Sequence, residues 1–119
     1  MKWYLAKLIY RIICGDGFHT PQFDEQLRLI SAGDDLHAFQ KARLTGHNEE
    51  DTFFNEKQKM VQWKFIDVSE LTLLDELTDG AEMYSRITEL EDATEYLKLI
   101  TLRSQHLQES CTEKVFPSN

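Results

Sequence analysis

Apolar positions recur every second residue over the first third of the chain and then shift to helical spacing. Residues Trp3 to Ile13 hold nine apolar side chains in eleven, rich in β-branched and aromatic types. One parity (Tyr4, Ala6, Leu8, Tyr10, Ile12) is wholly apolar. The other carries Trp3, Leu5, Ile9 and Ile13, interrupted by Lys7 and Arg11. Such a strand is expected in the interior of its sheet. Gly15-Asp16-Gly17 and Pro21 punctuate a loop. From Phe23 to Ser31 the alternation resumes, with Phe23, Leu27 and Leu29 against Asp24, Gln26 and Arg28. Two strands with a short connection predict an antiparallel pair.

Gly33-Asp34-Asp35 ends that strand and offers capping carboxylates. Leu36, Ala38, Phe39 and Ala42 then share one helical face, and Gly46 reads as the helix stop. Thr52 to Asn55 is a short extended piece, returned by a turn at Glu56 to Lys59 onto a strand from Met60 to Val68. In that strand Val61, Trp63 and Phe65 share one parity, while Gln62 and Lys64 share the other with Ile66 and Val68. Ser69 to Thr78 reads as a leucine-rich acidic linker. Asp79-Gly80 signals a turn, and Ala81 to Leu90 reads as another strand. Asp92 with Glu95 opens a capping-box-like start. A long helix follows from Ala93 to about Cys111, with Ala93, Tyr96, Leu97, Ile100, Leu107 and Cys111 near one face.

The order strand-strand-helix-strand-strand-strand-helix predicts an α+β fold: one antiparallel sheet of four to five strands, with two helices mainly on one face. One domain is expected over residues 1–111, with a flexible tail over 112–119.

Composition narrows the function classes. The 119 residues carry 13 Lys+Arg against 21 Asp+Glu, for a formal net charge of −8. Dispersed cations on an acidic chain argue against nucleic acid, because phosphate binding needs clustered Lys and Arg. An anionic membrane surface is disfavoured for the same reason. The charge suits a cytoplasmic protein, or one whose partner is basic. Lys7 and Arg11 break the apolar run at the N-terminus, so it reads as a strand rather than a signal peptide. Cys14 and Cys111 lie far apart in no C-x-x-C pattern and read as free thiols.

Three stretches belong together: Trp3-Tyr4-Leu5-Ala6-Lys7, Trp63-Lys64-Phe65-Ile66-Asp67-Val68 and Asp79-Gly80-Ala81-Glu82-Met83-Tyr84-Ser85. With Glu25 to Ala32 at a strand-to-helix junction, their combination resembles a bacterial family of small proteins of unknown function. The resemblance implies a compact single domain and supplies no catalytic residues.

The chain carries no phosphate-binding loop, no H-E-x-x-H and no nucleophile elbow. His19, His37, His47 and His106 share no ligand spacing, so no metal and no cofactor is expected. The sharpest enzyme alternative is a metal-dependent nuclease. In that reading Gln62 and Lys64 lie on one strand face and Asp51 supplies a nearby carboxylate for Mg²⁺. The plain reading makes Gln62 and Lys64 the solvent side of an amphipathic strand. Lys7 and Arg11 need carboxylate partners if their strand is interior, with Glu25, Glu82 or Glu89 as candidates; otherwise they form an anion-binding spot. The expected function is a non-catalytic protein–protein interaction module acting as a homodimer. An inhibitor or immunity-type protein for a basic partner is one concrete version.

Overall fold

The structure, a computed structural model, describes residues 1–115. The elements in chain order are β1 (Lys2–Cys14), β2 (Gln22–Ala32), α1 (Asp35–Asn48), β3 (Asp51–Phe54), β4 (Met60–Leu74) and α2 (Ala93–Val115). They form an α+β fold with one four-stranded antiparallel sheet and two helices, the class the sequence pattern implies. Contacts group the chain into two compact units, Met1–Ser85 and Arg86–Asn119, a division inside the span that the sequence reads as one domain.

In the first unit the strand order is β2-β1-β4-β3, so β1 is interior as its two apolar parities require. Tyr4, Ala6, Leu8 and Tyr10 are buried together with Ile30, Ala32 and Phe65. α1 lies on this face and contributes Ala38, Ala42 and Gly46. Asp34 caps it: Oδ1 accepts from the His37 amide at 2.8 Å, satisfying one of the orphan donors of the first turn.

Gly46 corrects one expectation. It sits inside α1 instead of ending it, and its lack of a side chain is needed for close approach. A Cβ at this position would overlap the Phe65 ring. The Tyr10 hydroxyl then donates to the Gly46 carbonyl at 2.8 Å, satisfying an acceptor in the last turn of the helix. His47 packs edge-on against the same Phe65 ring.

β4 is longer than expected, because Ser69 to Leu74 continues the strand rather than forming a linker. Two register shifts allow this. Lys7 pairs with Glu70 while Leu8 pairs with Val68, and Ile9 pairs with Asp67 while Tyr10 pairs with Phe65, leaving Ser69 and Ile66 as the extra residues. Each bulge flips the parity. Trp63, Val68 and Leu71 therefore all pack against the core despite their mixed numbering.

The fifth strand expected at Ala81 to Leu90 is absent; those residues adopt no regular structure. Their alternation of apolar and polar side chains is local, and they pair with none of the four strands. β1 already has a neighbour on each side, and β4 takes the residues that were expected to connect onwards.

The second unit contains α2. Asp92 Oδ1 accepts from the amides of Thr94 at 3.0 Å and Glu95 at 3.3 Å, the cap that the sequence signals. The helix runs on to Val115 rather than stopping near Cys111, so the first part of the expected tail is helical; residues 116–119 of that tail lie outside the described residues. None of the residues of α2 is buried.

Candidate functional site

Strand register separates the side chains of β1 into the helix-covered set and a helix-free set: Trp3, Leu5, Lys7, Ile9, Arg11 and Ile13. On this second face β2 contributes Phe23, Glu25, Leu27 and Leu29. Leu27 and Leu29 are each 50% exposed, and Phe23 and Ile66 slightly more. The exposure is concentrated on β2, whereas Leu5 of β1 on the same face is buried.

Lys7 stands in the middle of it with only 13% of its side chain exposed. Its Nζ lies 3.4 Å from Glu70 Oε2 and 3.9 Å from Glu25 Oε2, and 5.2 Å from the centre of the Tyr84 ring. Burial pulls the Lys7 pKa down, but Glu70 first, then the Tyr84 phenol and Glu25, outweigh it. The group stands above its ordinary value and remains charged. Two carboxylates already hold the ammonium, so it has little capacity left for an added anion.

Arg11 lies elsewhere. Its guanidinium is 5.9 Å from the centre of the Phe23 ring, and by register it faces Lys64 across the β1–β4 ladder. Lys7 and Arg11 therefore do not share partners. Glu82 forms no ion pair with either among the described residues and instead lines a shallow cleft of about 260 Å³ with Asp75 and Tyr84. Glu89 belongs to the second unit. Glu70, the nearer partner of Lys7, was hidden in the sequence because it falls in the stretch read as linker.

The nuclease residues are dispersed by the ladder. Gln62 pairs with Ile13 and Lys64 with Arg11, which puts both on the helix-free face. Asp51 pairs with Trp63, whose parity is opposite, so the carboxylate belongs to the other face. The convergence of Asp51, Gln62 and Lys64 that the nuclease alternative requires does not form, and Lys64 faces a second cation, Arg11. No group of three or more His, Cys, Asp or Glu side chains is arranged to hold a metal among the described residues.

A cleft of about 410 Å³ lies at one end of the sheet, lined by Cys14, Asp16, His19, Asn55, Lys57 and Lys59. Both ring nitrogens of His19 are committed. Nε2 accepts from the Cys14 amide at 3.0 Å, and Nδ1 donates to the Thr20 carbonyl at 2.9 Å. This tautomer follows because an amide can only donate and a carbonyl can only accept. Asn55 Oδ1 likewise accepts from the amides of Lys57 and Lys59. The polar groups here close turns.

On the helix side Arg43 grips Asp67 through two bonds, 2.9 and 3.0 Å, while its guanidinium lies over the Phe39 ring. The Arg43 bond, with the Val68 amide, holds the Asp67 carboxyl below its ordinary pKa. Phe53 stacks on Trp63 with ring centres 5.9 Å apart, whereas its neighbour Phe54 is 67% exposed, as adjacent residues of a strand require.

Together these features define a small α+β protein built on one antiparallel sheet, with a helix on one face and, on the other, a patch of exposed apolar side chains along β2 beside the buried Leu5. Residues 3–85 match the family described as Domain of unknown function (DUF4288), and the chain belongs to that family. The match spans the sheet unit and stops at its last residue, Ser85. No curated protein and no solved structure matches the chain. Among the described residues, no helix is long and apolar enough to cross a membrane.

Proposed function

We propose that this chain is a non-catalytic protein–protein interaction module of the cytoplasm that works as a homodimer. Its net charge of −8 suits an inhibitor or immunity-type role towards a basic partner. The observation that carries the reading is the apolar patch on the helix-free side of β2, where Phe23, Leu27 and Leu29 remain exposed near a charge already neutralised by Glu25 and Glu70. Apolar surface of this kind favours a protein contact, while the held ammonium leaves little to bind a free anion.

Two measurements test it together. Light scattering is expected to give twice the chain mass of 14.0 kDa at micromolar concentration, and a monomer at high micromolar concentration sinks the homodimer. Incubation with DNA and Mg²⁺ or Mn²⁺ is expected to leave the DNA intact. Cleavage that disappears in Lys64→Ala would replace this reading with the nuclease.

A further inference from the structure

We propose that β2 is the dimer strand: its outer edge pairs antiparallel with β2 of a second copy, centred on Gln26, with Asp24 of each copy opposite Arg28 of the other. This rests on the homodimer reading and names the edge that makes it. β2 ends the order β2-β1-β4-β3, so among the described residues one of its sides has no strand beside it. Proteins usually blunt such an edge with a short strand, a proline, a bulge or charged side chains, and of these β2 has only the charges of Asp24, Glu25 and Arg28. The opposite edge, β3, is only four residues long. β2 has eleven residues and no proline, and it runs in unbroken register against β1 from Lys2–Ala32 to Ile12–Gln22. Its backbone is an intact template for another strand. Among the described residues its C-terminal end is engaged, where Lys41 Nζ donates to the Ser31 carbonyl at 2.9 Å.

Charge selects the register. In a two-fold pair of identical antiparallel strands, the residue on the axis faces its own copy and each side chain stays on its own face. With Gln26 on the axis, Asp24 faces Arg28 twice on one side, and Phe23 faces Leu29 twice on the other. This register spans residues 22–30 and leaves the Ser31 carbonyl to Lys41. Moving the axis to Leu27 sets Asp24 against Ile30 and brings Phe23 onto Ser31. Moving it to Glu25 or Arg28 sets like charges face to face, which is destabilising.

Within one copy the charges are already held in place. Gln26 Nε2 donates to Asp24 Oδ2 at 2.7 Å, and Gln26 Oε1 accepts from Arg28 Nε and Nη2 at 3.2 and 2.8 Å. Trp63 Nε1 donates to the same Asp24 oxygen at 3.1 Å. Asp24 and Arg28 are thereby fixed on either side of the axis before association, so pairing costs little side-chain entropy.

The experiment is a charge exchange read by analytical ultracentrifugation, with circular dichroism confirming that each variant stays folded. Asp24→Lys alone and Arg28→Glu alone each set like charges opposite, and the dimer is expected to weaken roughly tenfold or more. In a mixture of the two single variants, the introduced lysine of one chain meets the introduced glutamate of the other. The second pair of the same heterodimer keeps Arg28 against Asp24. Heterodimers at wild-type strength are therefore expected. Gln26→Cys in a Cys14→Ser, Cys111→Ser background adds a second readout that needs no charged side chain: it is expected to oxidise to a covalent dimer, and Gln22→Cys is not. A wild-type dimer that neither charge variant weakens overturns the β2 edge while leaving the homodimer reading intact. A wild-type monomer overturns both. Recovery by the mixture without the Gln26→Cys cross-link moves the axis elsewhere and overturns this register.

Discussion

On the helix side of β1, Tyr4, Ala6, Leu8 and Tyr10 are almost wholly buried; one residue further along each time, Lys7 and Arg11 carry charge and Leu27 and Leu29 on β2 stay half exposed. The same strands thus build one face that behaves as a core and another that does so only around Leu5. The difference lies in what each face meets. Ala38, Ala42 and Gly46 give α1 a smooth, small-residue surface that fits flush on Tyr4, Tyr10 and Phe65. The opposite face carries Lys7, whose ammonium keeps the carboxylates of Glu25 and Glu70 beside it, so polar groups occupy space that apolar side chains fill on the helix side. Most of the buried apolar surface therefore lies on the helix side of the sheet.

Mutations on the two faces should separate these roles. Leu8→Ala removes a fully buried side chain and is expected to lower the unfolding free energy by about 2–5 kcal/mol, read by urea denaturation. Leu29→Ala on the open face should cost well under about 1 kcal/mol in the same assay. Equal losses would erase the distinction.

Gly46→Ala drives a methyl into the Phe65 ring and is expected to cost about 1–3 kcal/mol, with Phe65→Leu in the same chain recovering part of it. Tyr10→Phe deletes the bond to the Gly46 carbonyl and should cost about 1 kcal/mol, leaving the circular dichroism spectrum unchanged.

Electrostatic effects are smaller and opposite in their pH dependence. Asp67 has its pKa lowered in the fold, so its contribution is present above 3.8 and is lost as pH falls through the lower folded value. Asp67→Asn should flatten that acid limb of a stability–pH curve; an unchanged limb would mean that the Arg43 contact carries no net stability. Lys7 has its pKa raised, so its contribution is complete below 10.5 and fades as pH rises through the higher folded value. Lys7→Met is expected to leave acid stability alone and to remove only an alkaline dependence, the smallest of these effects.

β1 was legible because eleven residues of nearly unbroken apolar character admit one position in a sheet, the interior. The antiparallel β1–β2 pair and the α1 cap at Asp34 were legible for the same local reason, a turn signal or a capping carboxylate beside a clear period. The extension of β4 was not, because two bulges reset the parity at Ile66 and Ser69 and made a regular strand look irregular. Ala81 to Leu90 failed in the opposite sense: it has a strand's alternation but pairs with none of the four strands. Glu70 was hidden by the first error, and Tyr84, whose ring lies beside Lys7, by the second.

The amino-acid order by itself determined which residues prefer strand or helix, which side of β1 is wholly apolar, and that the charge is negative. These are set by neighbours within a few positions, whose periods and capping groups act locally. Only the tertiary structure decided that Asp51 and Gln62 stand on opposite faces, that Glu70 reaches Lys7, and that β2 rather than β1 has an open edge. Those facts depend on strand order and register, which arise from pairing residues far apart in the chain, and one inserted residue in a ladder is enough to turn every side chain beyond it.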